Sequence, residues 1–215
     1  TPPCSKSYAQ RALAVALLAD GESTIGNVEM CDDTRSALRC IEALGAKVEK
    51  IDDSTLKVRG GFNPNTDSLN IGESGLSTRL FTPIASLCDR PITINGEGTI
   101  LYRPISMMIE PLRQLGVSVR DGGGFLPIQV CGPMRGGEVE IDGSISSQFL
   151  TGLLLSLPMA QADTTIYVNN LNSLPYVDMT IETARRFGVE IAHKDYREFF
   201  IEGGQKYRSA NFMIE

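Results

Sequence analysis

Two patterns of hydrophobic and polar positions alternate along this chain. Residues 12–19 and 150–157 are apolar with no clear polar face, which predicts helices buried on all sides. Glu138-Val-Glu-Ile-Asp142 alternates instead, which predicts a strand with one wet face. Buried helices and half-wet strands together predict an α/β fold with helices packed inside and sheets outside.

The same sequence of elements is predicted three times. Ile41-Glu-Ala-Leu-Gly-Ala-Lys-Val48, Pro111-Leu-Arg-Gln-Leu-Gly-Val-Ser-Val119 and Thr183-Ala-Arg-Arg-Phe-Gly-Val-Glu-Ile191 each read as a helix end closed by glycine. Those glycines, Gly45, Gly116 and Gly188, recur at intervals of 71 and 72 residues. Each is followed by a β-like segment, near 55–59, 126–130 and 198–201. Upstream, Ser5-Lys-Ser-Tyr-Ala-Gln-Arg11, Ser74-Gly-Leu-Ser-Thr-Arg79 and Ser144-Ile-Ser-Ser-Gln148 each run from a serine-rich turn into an apolar helix. A strand follows near 24–28, 92–95 and 164–169, then a second helix begun by Asp33, Pro104 or Pro175-Tyr176. The unit reads βαβαββ, and its three copies predict one domain with pseudo-threefold symmetry, repeats spanning roughly 5–67, 68–136 and 137–215.

Composition narrows the function. The net charge of −6 argues against a broad nucleic-acid or acidic-membrane surface, so any anion must be met by a local cluster of cations. The longest apolar stretch, 149–162, is too short to span a bilayer and contains Thr151, Gly152, Ser156 and Pro158. No signal-peptide pattern is visible, and the chain opens on Thr1 rather than Met. Cys4, Cys31, Cys40, Cys88 and Cys131 form no CxxC and accompany a single His, which predicts reduced thiols in a cytoplasmic protein rather than a disulfide framework or a metal site.

Pseudo-threefold packing would bring equivalent helix N-termini to one end of the domain, where free N–H groups and helix dipoles favour an anion. Lys6, Ser7, Arg11, Ser74, Arg79, Ser146, Ser147 and Gln148 stand at those openings, and Arg103 just before the second helix of the middle unit. Guanidinium and hydroxyl groups suit a phosphate or carboxylate. Taken singly, each has a plainer reading: Ser74, Ser144 and Asp33 as caps, an Arg near a helix start as a solvated side chain. Gly72-Glu-Ser-Gly75 lacks the Gly-Lys-Ser/Thr of a nucleotide loop. Gly122, Gly123 and Gly124 read as a hairpin turn, and His193 as a surface residue.

Several of these segments carry a resemblance. Pro3-Cys-Ser-Lys-Ser-Tyr-Ala-Gln-Arg11, Asp32-Asp-Thr34, Gly75-x-x-x-Arg79, Gly96-Glu97 with Arg103-Pro104, Asp142-Gly-Ser-Ile-Ser-Ser-Gln-Phe-Leu-Thr151, and Ser173-Leu-Pro-Tyr176 with Asp178 resemble, in order, the enolpyruvylshikimate phosphate synthase family. Family proteins are two such domains, so the chain is similar to the N-terminal one and implies a C-terminal partner domain. The implied reaction moves the enolpyruvyl group of phosphoenolpyruvate to the 5-hydroxyl of shikimate 3-phosphate, releasing phosphate, with no cofactor and no metal, in a protein expected to be monomeric. By resemblance, Lys6, Ser7, Arg11, Ser146, Ser147, Gln148, Ser173 and Tyr176 hold shikimate 3-phosphate. Lys6, Gly75, Arg79, Arg103 and Gln148 serve the phosphoenolpyruvate side, with Lys6 as a catalytic proton donor.

The sequence departs from that pattern in places. Cys4 stands where Gly is frequent, Glu73 where Asn is common, and Leu80 where many members have Pro, so sensitivity to the inhibitor glyphosate does not follow from the resemblance. An acidic Glu73 should weaken an anionic substrate unless its side chain turns away. The family's general-base Asp belongs to the other domain, so the chain alone is expected to have essentially no turnover. The sister enzymes acting on UDP-N-acetylglucosamine usually carry a reactive Cys in the loop matching 97–102, which here reads Glu-Gly-Thr-Ile-Leu-Tyr. A third reading is a non-catalytic domain that only binds an anion.

Overall fold

A computed structural model describes residues 4–144 and 147–215. The first segment contains α1 (Lys6–Leu18), β1 (Glu22–Gly26), α2 (Asp32–Ala43), β2 (Lys47–Lys50) and β3 (Leu56–Arg59). The second contains β4 (Ser68–Asn70), α3 (Gly75–Ala85), β5 (Ile92–Asn95), a 3-10 turn (Gly98–Tyr102), α4 (Ser106–Gln114), β6 (Ser118–Asp121) and β7 (Ile128–Cys131). The third contains β8 (Gly137–Asp142), α5 (Ser147–Ser156), β9 (Thr164–Asn169), α6 (Leu174–Arg186), β10 (Ala192–Lys194) and β11 (Glu198–Ile201), and β12 (Asn211–Met213) follows.

The expected βαβαββ repeat and its inside-out layering are present. Residues 9–18 of α1, 76–85 of α3 and 149–156 of α5 are all buried, so these helices form the centre. Their hydroxyls survive there by turning back on their own helix. Thr78 donates to the Ser74 carbonyl at 2.9 Å, Thr82 to Thr78 at 2.7 Å, Ser86 to Thr82 at 2.9 Å and Ser156 to Gly152 at 2.8 Å. Pro83 inside α3 has no N–H for the Arg79 carbonyl, and Gly152 of α5 packs its bare Cα against that same oxygen. A Cβ at 152 would overlap it.

Three four-stranded sheets surround the helices, in the orders β12-β1-β3-β2, β4-β5-β7-β6 and β8-β9-β11-β10. Each begins with a parallel pair, β1 with β12, β5 with β4 and β9 with β8, and continues antiparallel. β8 exposes and buries alternate residues as its sequence predicts. The helix-closing glycines take left-handed φ values of 117° (Gly45), 84° (Gly116) and 84° (Gly188), and Gly122, Gly123 and Gly124 lie in the β6–β7 hairpin.

Two expectations change in detail. The 137–215 segment does not keep its own tail: β12 crosses to the first sheet and pairs Thr24, Ile25 and Gly26 with Asn211, Phe212 and Met213. Among the described residues no strand precedes α1, and β12 takes the place beside β1 that β4 and β8 take beside β5 and β9. Asp33 does not flank α2; Cys31 does, and Asp32 and Asp33 share the first turn, where carboxylates favour the helix dipole. Among the described residues no helix is long and apolar enough to cross a membrane.

Candidate functional site

The helix starts converge as the repeats imply. Ser5 caps α1 by accepting from the Tyr8 amide at 3.4 Å, and Ser74 caps α3 by accepting from the Ser77 amide at 3.2 Å. Buried Gln10 of α1 locks the two starts together, its Oε1 accepting from Ser74 Oγ at 3.2 Å and Ser77 Oγ at 3.0 Å. Beside them open α5 and α6. Ser7, Arg11, Leu76, Ser147, Gln148, Ser173 and Tyr176 line one cleft of about 250 Å³, and none of these residues is acidic.

Arg11 is the cation of that cleft and is only 1 % exposed. Its Nε donates to Thr180 Oγ1 at 2.9 Å, one terminal nitrogen to the Ser7 carbonyl at 2.8 Å, and the other to Thr151 Oγ1 at 3.0 Å and the Tyr176 carbonyl at 3.3 Å. All four partners are neutral. Burial pulls the Arg11 pKa down to about 10, with the Tyr176 and Tyr8 hydroxyls working in the opposite direction. A guanidinium held in register by neutral oxygens, and desolvated, is poised to gain from an anion. The Tyr176 ring lies 5.9 Å from its carbon, and Ser173 enters α6 with φ +63°, a conformation a serine adopts only at a cost.

A second cluster adjoins the first through Gln148. A Cβ built on Gly75 would lie 3.4 Å from an Arg103 terminal nitrogen, 3.5 Å from one of Arg79 and 3.7 Å from Gln148 Oε1. The absence of a side chain at 75 therefore leaves room among three polar groups. Arg79 is 7 % exposed; its terminal nitrogens donate to the Gly75 carbonyl at 3.1 Å and the Pro104 carbonyl at 3.3 Å, while its Nε is buried without a partner. Burial first, and the Arg103 charge second, lower its pKa. Among the described residues neither arginine, nor Arg11, has a carboxylate within ion-pair distance. Glu73 turns away: its carboxylate accepts from the Thr99 amide and Thr99 Oγ1, both at 3.0 Å.

Ten of the eleven residues singled out from the sequence are thus placed. Six line the cleft (Ser7, Arg11, Ser147, Gln148, Ser173, Tyr176), and Gly75, Arg79 and Arg103 meet Gln148 beside it. Lys6 is exposed as the first residue of α1, next to Ser7. Ser146 lies outside the described residues. Sequence reasoning missed Gln10, Leu76, Thr151 and Thr180 as parts of the site. The only signal was polar residues within apolar helix patterns, which also marks hydroxyls that bond only their own helix. Among the described residues no three His, Cys, Asp or Glu side chains gather to hold a metal ion.

The family model of EPSP synthase (3-phosphoshikimate 1-carboxyvinyltransferase) matches residues 1–215. The chain belongs to the EPSP synthase family. A 3-phosphoshikimate 1-carboxyvinyltransferase of Serratia proteamaculans is 39 % identical over 99 % of this chain and 52 % of its own length. One of Acetivibrio thermocellus is also 39 % identical, over 99 % of this chain and 51 % of its own. The solved EPSP synthase of Acinetobacter baumannii superposes with a TM-score of 0.88 at 22 % identity, covering 99 % of this chain and 48 % of that one; at this identity the likeness speaks for the fold. The chain spans about half the length of the curated EPSP synthase relatives it matches.

Proposed function

We propose that this chain is the substrate-gripping half of an enzyme that transfers the enolpyruvyl group of phosphoenolpyruvate to the 5-hydroxyl of shikimate 3-phosphate. In that reaction the 5-oxygen bonds to C2 of phosphoenolpyruvate, the bond from C2 to the phosphate oxygen breaks, and phosphate leaves. The observation that carries the reading is Arg11: a buried guanidinium whose partners among the described residues are all neutral, at the wall of a cleft that those residues otherwise line with hydroxyls, an amide and Leu76. Ser7, Arg11, Ser146, Ser147, Gln148, Ser173 and Tyr176 would hold shikimate 3-phosphate. Arg79, Arg103 and Gln148, with the space above Gly75, would take the carboxylate and phosphate of phosphoenolpyruvate. Lys6, at the start of α1, would donate the proton.

The other half of the family's length would supply the general base and close over the cleft to exclude water. The enzyme would act as a monomer in the cytoplasm without a cofactor. The test is a heteronuclear NMR titration with shikimate 3-phosphate, using UDP-N-acetylglucosamine and inorganic phosphate as controls. Shifts specific to shikimate 3-phosphate at Ser7, Arg11, Ser147 and Tyr176 are expected. Shifts with UDP-N-acetylglucosamine alone would overturn the reading, and product formed by the 215-residue chain by itself would overturn the division of labour between halves.

A further inference from the structure

Arg79 and Arg103 pose a mechanical problem that α3 solves for only one of them. Two like charges drift apart unless each is held, and Arg79 is held by the carbonyls of Gly75 and Pro104. Arg103 is exposed, and its own amide donates to the Ile100 carbonyl at 3.1 Å, so its position follows that of the 3-10 turn before it. That turn is laced to the β4–α3 loop. The Glu97 amide donates to the Gly72 carbonyl at 2.9 Å, Asn70 Nδ2 to Glu97 Oε1 at 2.6 Å, and the Gly72 amide to Asn70 Oδ1 at 2.9 Å. The last lace is Glu73, which takes both the amide and the hydroxyl of Thr99. Gly98 has φ +59°, and a Cβ there would fall on the Glu73 carboxylate, so that carboxylate lies flush against the backbone of the turn.

We propose that Glu73 is a positioning residue for the phosphoenolpyruvate side of the site, acting through Thr99 to fix the turn that delivers Arg103 beside Arg79, Gly75 and Gln148. The inference rests on the function proposed above. It explains how an acidic residue two positions from Gly75 can coexist with an anionic ligand: the carboxylate is turned to the 3-10 turn, where its Oε2 accepts both bonds from Thr99. The hydroxyl-lined cleft around Arg11 touches neither Glu73 nor Thr99, so the two substrates should respond differently when the lace is cut.

The experiment compares Glu73→Ala, Glu73→Gln and Thr99→Val with wild type in the full-length protein. Hydrogen exchange at the Thr99 amide, measured without substrate, should quicken about tenfold in Glu73→Ala, the loss of one charge-assisted hydrogen bond, and much less in Glu73→Gln, which keeps an acceptor. KM for phosphoenolpyruvate should rise by about the same factor in Glu73→Ala, with KM for shikimate 3-phosphate and Tm held near wild type, and Glu73→Gln should recover most of the loss. Unchanged Thr99 exchange in Glu73→Ala, or an equal rise in both KM values, would overturn the inference. A wild-type protein that turns over neither substrate would instead remove the proposed reaction, and the exchange data would still decide whether Glu73 holds the turn.

Discussion

Arg11 carries its charge into the interior, where four neutral oxygens stand in for a carboxylate. Such a residue costs stability, and the proposed anion would offset that cost. Thr151 and Thr180 each have an acceptor within their own helix, the Ser7-to-Arg11 spacing supplies a helical amide to the Ser7 carbonyl, and Thr180 Oγ1 already donates to the Tyr176 carbonyl at 2.7 Å. Arg11→Met should therefore leave no orphaned partner. Its Tm should equal or exceed that of wild type, while affinity for shikimate 3-phosphate falls by about 3 kcal/mol, roughly a hundredfold. Differential scanning calorimetry and a binding titration check both halves, and a lower Tm or retained affinity would refute the account. Glu73 gives a pH dependence. The Thr99 amide first, then its hydroxyl, and more weakly the charge of Arg103, hold the Glu73 pKa below its usual value. A carboxylate depressed in the folded state contributes its contact above the unfolded pKa and loses it as pH falls through the lower folded one. Glu97, just before the turn that carries Thr99, is the acidic neighbour and is bonded to Asn70. The Thr99 amide shift should accordingly titrate with a midpoint below that of a free glutamate; a midpoint at or above it would show that the contact is not made.

Between elements, α3 and α5 approach closely where Pro83 frees the Arg79 carbonyl and Gly152 fits over it. Gly152→Ala forces the two helices apart and should cost about 1–3 kcal/mol, seen as a Tm lowered by roughly 2–4 °C per kcal/mol. Because Arg79 and Gln148 sit on these two helices, phosphoenolpyruvate binding should weaken alongside. A Tm within a degree of wild type would contradict the packing described. Elements of this kind were legible in the sequence wherever the signal is local. The apolar runs gave the buried helices, and Gly45, Gly116 and Gly188 marked helix ends because a left-handed turn leaves few alternatives. Contacts set by partners distant in sequence were not legible. Gly60, Gly132 and Gly203 recur at similar intervals where each sheet strand passes the end of a central helix, but a lone glycine after a strand does not announce what it touches. Arg11 gave no hint of its depth, since its burial depends on Thr151 and Thr180, which arrive from α5 and α6. The side chain of Glu73 could be read as facing the anion or away from it until Thr99 was placed.

For the whole molecule, the decisive pairing joins the two ends of the sequence. β12 lies parallel to β1, the Ile214 amide donates to the Gly26 carbonyl at 3.1 Å, Asn27 Nδ2 donates to the Ile214 carbonyl at 2.9 Å, and the Ser5 amide donates to the Glu215 carbonyl at 3.2 Å. Phe212, 4 % exposed, packs on Tyr8 and Phe187 under the guanidinium of Arg186. Phe212→Ala should cost about 3–5 kcal/mol, and it should unsettle the Ser5–Ser7 start of α1 through Tyr8. Denaturant unfolding measures the first, and amide shifts at Ser5, Lys6 and Ser7 the second; a loss under 1 kcal/mol would mean β12 is only an appendage.

During synthesis β1 emerges well before β12, since the paired Thr24 and Asn211 stand 187 residues apart in sequence. At about 5–20 residues per second, roughly ten to forty seconds separate them. Throughout that interval the first sheet lacks its edge strand, exposing unpaired backbone that invites association with other nascent chains. The segment from 68 to 136, whose sheet draws only on its own strands, can close while synthesis continues. The middle segment is thus free to mature before the first, and β1 gains this neighbour only once β12 has been made.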